Sequence, residues 1–109
     1  MAPISQDVTN VIHAFVNKIG KQIPIKKVVL FGSYAQGNSN PTSDVDLAIF
    51  SEYFEGKTRV EGITFLLMHA MEYKIDLEPV AFTDKEYDER LGIVAEIINT
   101  GIEIPIQVS

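Results

Sequence analysis

Two aspartates separated by one residue, Asp44 and Asp46, stand at the head of the apolar run Leu47-Ala48-Ile49-Phe50. Alternate residues of an extended strand share a face, so both carboxylates project together with Cα atoms roughly 7 Å apart. Two carboxylates on one side of an apolar strand are costly unless a cation or donor compensates them. A pair of hard divalent ions, about 3.5–4 Å apart, would do so and would favour oxygen ligands. The plainer alternative is a solvated strand start, which the apolar run weakens. A further acid, Asp76, opens the stretch Ile75-Asp76-Leu77-Glu78-Pro79-Val80, and parity places Glu78 on its face. On its own this pair reads better as a polar strand face. Gly32-Ser33 directly follows the apolar residues 28–31. If residues 33–36 begin a short helix, its free N–H groups and positive dipole end bind phosphate with few basic side chains, and the Ser33 hydroxyl adds a donor. An ordinary strand-to-helix turn is the alternative there. Taken together, the three features describe a phosphate cradle beside three carboxylates on adjacent strands.

These side chains need a sheet to hold them. Ser5 as N-cap, Asp7 in the first turn and Val8, Val11, Ile12, Phe15, Val16 and Ile19 at helical spacing predict a first amphipathic helix, stopped by Gly20. Strands are expected over 26–32, 44–50 and 75–82, the last an edge or bulged strand because of Pro79. Residues 37–43 are dense in turn formers and read as a loop. Thr58 with Glu61 forms a capping box ahead of Ile63, Leu67 and Met71 at helical spacing. Thr83 with Glu86 forms a second, opening a helix with Tyr87, Leu91, Val94 and Ile98 on one stripe and Gly92 as a weak point of about 1 kcal/mol. The tail, residues 102–106, reads as a short strand or an apolar docking segment. The expected fold is a small α+β (α/β-like) mixed sheet packed with helices, one domain over residues 1–109.

Composition narrows the function. Nine Lys and Arg against fifteen Asp and Glu give a net charge of −6, which disfavours binding to long nucleic acid. The chain has no cysteine, which excludes disulfides and thiolate metal sites. His13 and His69 lie far apart and read as surface or boundary residues rather than a zinc pair. No apolar run approaches the ~20 residues of a membrane span, and Met1 to Ser5 lack the regions of a signal peptide. A cytoplasmic protein without a membrane partner is therefore expected. Phe50, Tyr53 and Phe54 read as packing residues, with base stacking as the alternative. The apolar stretch from Leu91 to Ile106 exceeds what one small helix usually buries, and suggests an oligomer or partner interface or a covered sheet edge.

Gly32-Ser33-Tyr34-Ala35-Gln36-Gly37, then Ser43-Asp44-Val45-Asp46-Leu47, then Asp76, resembles the nucleotidyltransferase superfamily related to DNA polymerase beta. The brevity of the chain makes it most similar to the minimal nucleotidyltransferases, including the antitoxins paired with HEPN-domain toxins. The motifs cover residues 30–50 and 75–80. The resemblance implies Mg²⁺-dependent transfer of a nucleoside monophosphate, AMP from ATP or another nucleoside triphosphate, onto a hydroxyl. It further implies that Gly32 and Ser33 hold the β- and γ-phosphates, that Asp44 and Asp46 bridge two Mg²⁺ ions, and that Asp76 completes the second ion's shell and helps take the proton. A tyrosine of a HEPN-domain partner is the acceptor the resemblance favours, with a small-molecule acceptor, as in antibiotic-modifying relatives, as an alternative. A module that neutralises its partner by contact alone is the non-enzymatic alternative. One departure stands out: many relatives carry Arg or Lys where this chain has Gln36, and Tyr34 adds no charge. Lys26, Lys27, Lys57, Arg59 and Lys74 are the candidates for phosphate contacts.

Overall fold

Ser5 adopts extended backbone, and its hydroxyl accepts the N–H of Val8, releasing helix α1 (Gln6–Gly20). The computed structural model describes residues 5–37 and 44–106. Strand β1 (Lys27–Phe31) leads into a single helical turn, α2 (Ser33–Gln36). Strand β2 (Val45–Phe50) is followed by a 3-10 turn at Glu52–Phe54, helix α3 (Arg59–Ala70) and strand β3 (Leu77–Phe82). The chain ends in α4 (Asp84–Glu89), α5 (Ile93–Thr100) and β4 (Ile102–Glu103).

The four strands form one mixed sheet in the order β3-β2-β1-β4. β2 and β3 run parallel, as a helical crossover requires, while β1 pairs antiparallel with both β2 and β4. The fold is thus a small α+β mixed sheet with helices on it. Residues of period two divide it into faces. Val28, Leu30, Leu47, Ile49 and Ala81 face the main core with Ile12, Phe15 and Ile19 of α1 and Leu66 of α3. Val29, Ala48, Phe50 and Phe82 face a smaller core closed by Val94 and Ile97 of α5. Each large apolar side chain so buried contributes about 1.5–3 kcal/mol.

Both capping boxes form, with Thr58 and Glu61, and Thr83 and Glu86, bonding reciprocally. Pro79 lies on β3, an edge strand, where a missing N–H is tolerated. The tail supplies β4, and Ile104 extends its pairing by donating to Val28. Phe50 packs, stacked on Phe82 with ring centroids 5.3 Å apart, and Tyr53 packs between Phe54 and Phe65.

Two expectations are corrected. The buried stripe of α3 is Gly62, Leu66 and Ala70, not Ile63, Leu67 and Met71: Ile63 is half-buried, and Leu67 and Met71 face outward. The helix approaches β3 so closely that a Cβ on Gly62 would stand 2.7 Å from that of Ala81. Two small residues, Gly62 and Ala70, therefore share its packed face with Leu66. The last helix is also two helices. Arg90 (φ 51°, ψ 53°) ends α4, and Gly92 (φ 56°, ψ −128°) adopts a backbone open to glycine before α5. Leu91 is consequently exposed rather than part of a buried stripe. Of the expected loop 37–43, Gly37 is a left-handed cap of α2, and residues 38–43 lie outside the described residues. No described helix is long and apolar enough to cross a membrane.

Candidate active site

β1 ends opposite the start of β2, with Phe31 registered against Asp46. Gly32 then turns the chain with φ 76° and ψ −152°, a conformation that glycine alone adopts without strain. A Cβ at Gly32 would fall 2.2 Å from Oδ2 of Asp46. The carboxylate therefore lies directly against the backbone of the glycine turn, and the two sequence features form one place. The turn is anchored from below. Tyr34 and Ala35 of α2 are buried in the main core, the Gly32 carbonyl accepts from Gln36 N–H, and the Ser33 carbonyl accepts from Gly37 N–H. Tyr34 thus packs into the core and adds no charge to the turn. The leading N–H groups of α2 and the Ser33 hydroxyl belong to this same corner.

The parallel register brings the other acids alongside. Asp46 is the Cα partner of Glu78, and the N–H of Val45 donates to the carbonyl of Asp76 at 2.8 Å. Asp44 and Asp76 each lie one residue before their strands, not within them as expected, but the pairing continues through them and parity keeps all four acids on one face. This face belongs to the smaller core at the sheet end where that core stops. Asp46 is half-buried, whereas Asp44, Asp76 and Glu78 are exposed.

Electrostatics records the crowding. Loss of solvent first, and then the negative charge of Asp44, push the Asp46 carboxyl above its usual range. The Glu78 carboxyl is likewise pushed up, by desolvation and then by Asp44, Asp46 and Asp76. Among the described residues, no three His, Cys, Asp or Glu side chains converge closely enough to hold an ion as they stand. The donor set nevertheless fits a hard divalent cation in type: every group is a carboxylate oxygen, and among the described residues none of these acids is in an ion pair.

Four of the five basic candidates for phosphate contact are engaged elsewhere. Lys26 pairs with Asp88 at 3.3 Å, Lys27 with Glu103 at 3.3 Å and Arg59 with Glu86 at 2.9 Å. Lys57 lies over the Tyr53 ring, and Lys74 is exposed close to Asp76 in sequence. His13 and His69 are half-buried, with Nδ1 of His69 2.9 Å from the Phe65 carbonyl. Sequence parity put Glu78 on the face of Asp76 but gave it no partner on the neighbouring strand. Its direct register with Asp46 depends on the parallel pairing of β2 and β3, for which the helical segment between them was the available signal.

Known proteins resemble this chain in sequence and in fold. The family model described as "Polymerase beta, Nucleotidyltransferase" matches residues 13–107. A Methanocaldococcus jannaschii protein named "Putative protein adenylyltransferase" is 28% identical over 81 residues, covering 73% of this chain and 79% of that one. The crystal structure of a protein described as a "putative nucleotidyltransferase" from Sulfolobus solfataricus superposes with a TM-score of 0.64 at 16% identity, covering 82% of this chain and 84% of that chain. That last likeness concerns the fold. With the glycine turn and the acids gathered at one sheet end, the match over residues 13–107 means that the chain belongs to the polymerase beta nucleotidyltransferase family, as a minimal nucleotidyltransferase.

Proposed function

We propose that this protein is an Mg²⁺-dependent enzyme that moves AMP from ATP onto a hydroxyl of a protein partner, with residues 1–109 acting as one catalytic domain. The observation that carries the reading is the contact of the Asp46 carboxylate with the Gly32 turn, which makes a phosphate cradle and a cation ligand parts of one site. In this reading Gly32 and Ser33 orient the β- and γ-phosphates through backbone N–H groups and the hydroxyl, and fix the α-phosphorus for in-line attack. Asp44, Asp46 and Asp76 would hold Mg²⁺, which supplies charge neutralisation at the phosphates and acidifies the attacking hydroxyl. The acceptor oxygen bonds to the α-phosphorus as the bond to the bridging oxygen breaks. Pyrophosphate leaves with that electron pair, and Asp76 accepts the hydroxyl proton.

A protein acceptor is supported by the name of the Methanocaldococcus jannaschii relative and by the small size of the domain, which leaves the acceptor to bind across an interface. A HEPN-domain tyrosine is the acceptor we favour, and ATP chemistry in a cysteine-free chain fits the cytoplasm. Calorimetric titration with a non-hydrolysable ATP analogue, with and without Mg²⁺, tests the reading on wild type and Asp46→Asn. Metal-dependent binding by wild type, lost in the variant, is expected. Equal binding by both proteins, or none by folded wild type, would overturn it.

A further inference from the structure

We infer that a groove crossing the outer edge of β3 seats the acceptor polypeptide, an inference that rests on the transfer reading above. The groove, about 300 Å³ in volume, has an apolar wall of Leu67, Met71, Tyr73 and Ile75, and Asp76 and Glu78 stand on its rim. Parity explains its course. Leu77 faces the main core under α3, while Asp76 and Glu78 face the opposite side. A segment lying in the groove therefore passes around the sheet edge from α3 to the acidic face.

Met71, in the groove wall, is 79% exposed at the end of a helix whose packed face is Gly62, Leu66 and Ala70. An exposed methionine fits varied apolar side chains with little penalty. Such a wall adds little affinity for a polar small molecule, and the carboxylate rim repels a nucleic-acid backbone. Charge complementarity instead selects a basic group facing Glu78. Pro79 has no N–H to offer an incoming strand, so side chains rather than a continued ladder carry the docking. The occupant is therefore a partner segment with apolar residues beside its hydroxyl-bearing residue and a lysine or arginine within reach of Glu78.

The test uses the full chain with labelled methionine methyl groups, titrated with a blocked pentapeptide: central tyrosine, leucine on either side, lysine at both ends. The Met71 methyl signal is expected to shift saturably. Met71→Glu should weaken binding of the peptide about tenfold, a change of about 1.4 kcal/mol, while Met68→Glu, on the same helix but outside the groove, should leave it within about twofold. Replacing the terminal lysines by glutamates should weaken binding to wild type, and less so to Glu78→Gln. No saturable shift, or equal binding of the basic and acidic peptides, overturns the inference. Nucleotide titration of the same wild-type sample separates the two ideas: failure there with the peptide response intact defeats the transfer reading and leaves the groove as a docking surface.

Discussion

The two ends of the parallel β2–β3 pair treat carboxylates in opposite ways. Beyond the C-terminal end, Glu86 accepts from the Thr83 N–H at 2.9 Å and from Arg59 Nη2 at 2.9 Å. Arg59 also donates to the Ala81 carbonyl and lies over the Phe82 ring. The hydrogen bond from Arg59, and next the helix cap, hold the Glu86 carboxyl below its usual range. At the N-terminal end, Asp46 and Glu78 meet lost solvent and other acids, and are pushed up. One end uses a satisfied carboxylate to tie α3, β3 and α4 together. The other gathers uncompensated carboxylates against a glycine turn, an arrangement that favours a cation over further folding stability. Uneven placement of nine basic residues among fifteen acids thus separates a structural corner from a chemical one.

The sharpest way to break this contrast is Gly32→Ala. Its positive φ costs about 1–3 kcal/mol for a residue with a side chain, and the new Cβ must displace the Asp46 carboxylate. Nucleotide affinity by calorimetry is expected to fall at least about a hundredfold, equivalent to about 2.7 kcal/mol. Denaturant melting should show only the smaller stability loss. Retained affinity would mean that the turn and the acid are not one site.

Next in size are two charge removals with opposite expected signs. Glu86→Gln leaves Arg59 without its ionic partner and weakens the cap of α4, so stability should fall by about 1 kcal/mol. Asp46→Asn removes a charge that the fold holds at a cost, so without metal and nucleotide the variant should melt at or slightly above wild type, by less than about 1 kcal/mol. In Mg²⁺ and nucleotide the order should reverse, because only wild type gains ligand stabilisation. Matching signs for the two variants without ligand would erase the distinction between the ends.

Much of this division was legible in the sequence, and for local reasons. Capping boxes, the strand after α1 and the Gly32-Ser33 turn are set by neighbouring residues, and each formed. The mixed α+β fold followed from the same signals, while parity joined Asp44 with Asp46 and Asp76 with Glu78, and the family resemblance brought Asp76 to the first pair. What escaped depends on distant partners. Gly62 looks like a flaw in a helix until Ala81 is seen against it, and that contact turns Leu67 and Met71 outward. Gly92 was visible as a weakness, but its positive φ, which divides the last helix, was not. The apolar stretch from Leu91 to Ile106 left two readings open, an interface or a covered sheet edge, and the structure favours the second. Most of it serves its own sheet through Val94, Ile97 and Ile104, leaving Leu91, Ile93 and Ile102 exposed.

The finest distinction between the two ends is their pH dependence. Because the Glu86 carboxyl is lowered from an ordinary 4.5, its contribution is present above that value and is lost as pH falls through the folded-state pKa. Because the Asp46 carboxyl is raised from an ordinary 3.8, the folded protein holds that proton longer than the unfolded chain. Stability from this group is present below 3.8 and declines as pH rises through the raised value. The two slopes oppose each other in wild type. Glu86→Gln should therefore make ligand-free stability fall more steeply as pH rises through the mildly acidic range, and Asp46→Asn should make it rise more steeply. Denaturant midpoints collected across that range measure both slopes, each expected to differ from wild type by a fraction of a kcal/mol because both groups keep some contact with water. Parallel profiles for the two variants would show that solvent screening levels the ends, and would leave the glycine contact as the feature that sets the acidic end apart.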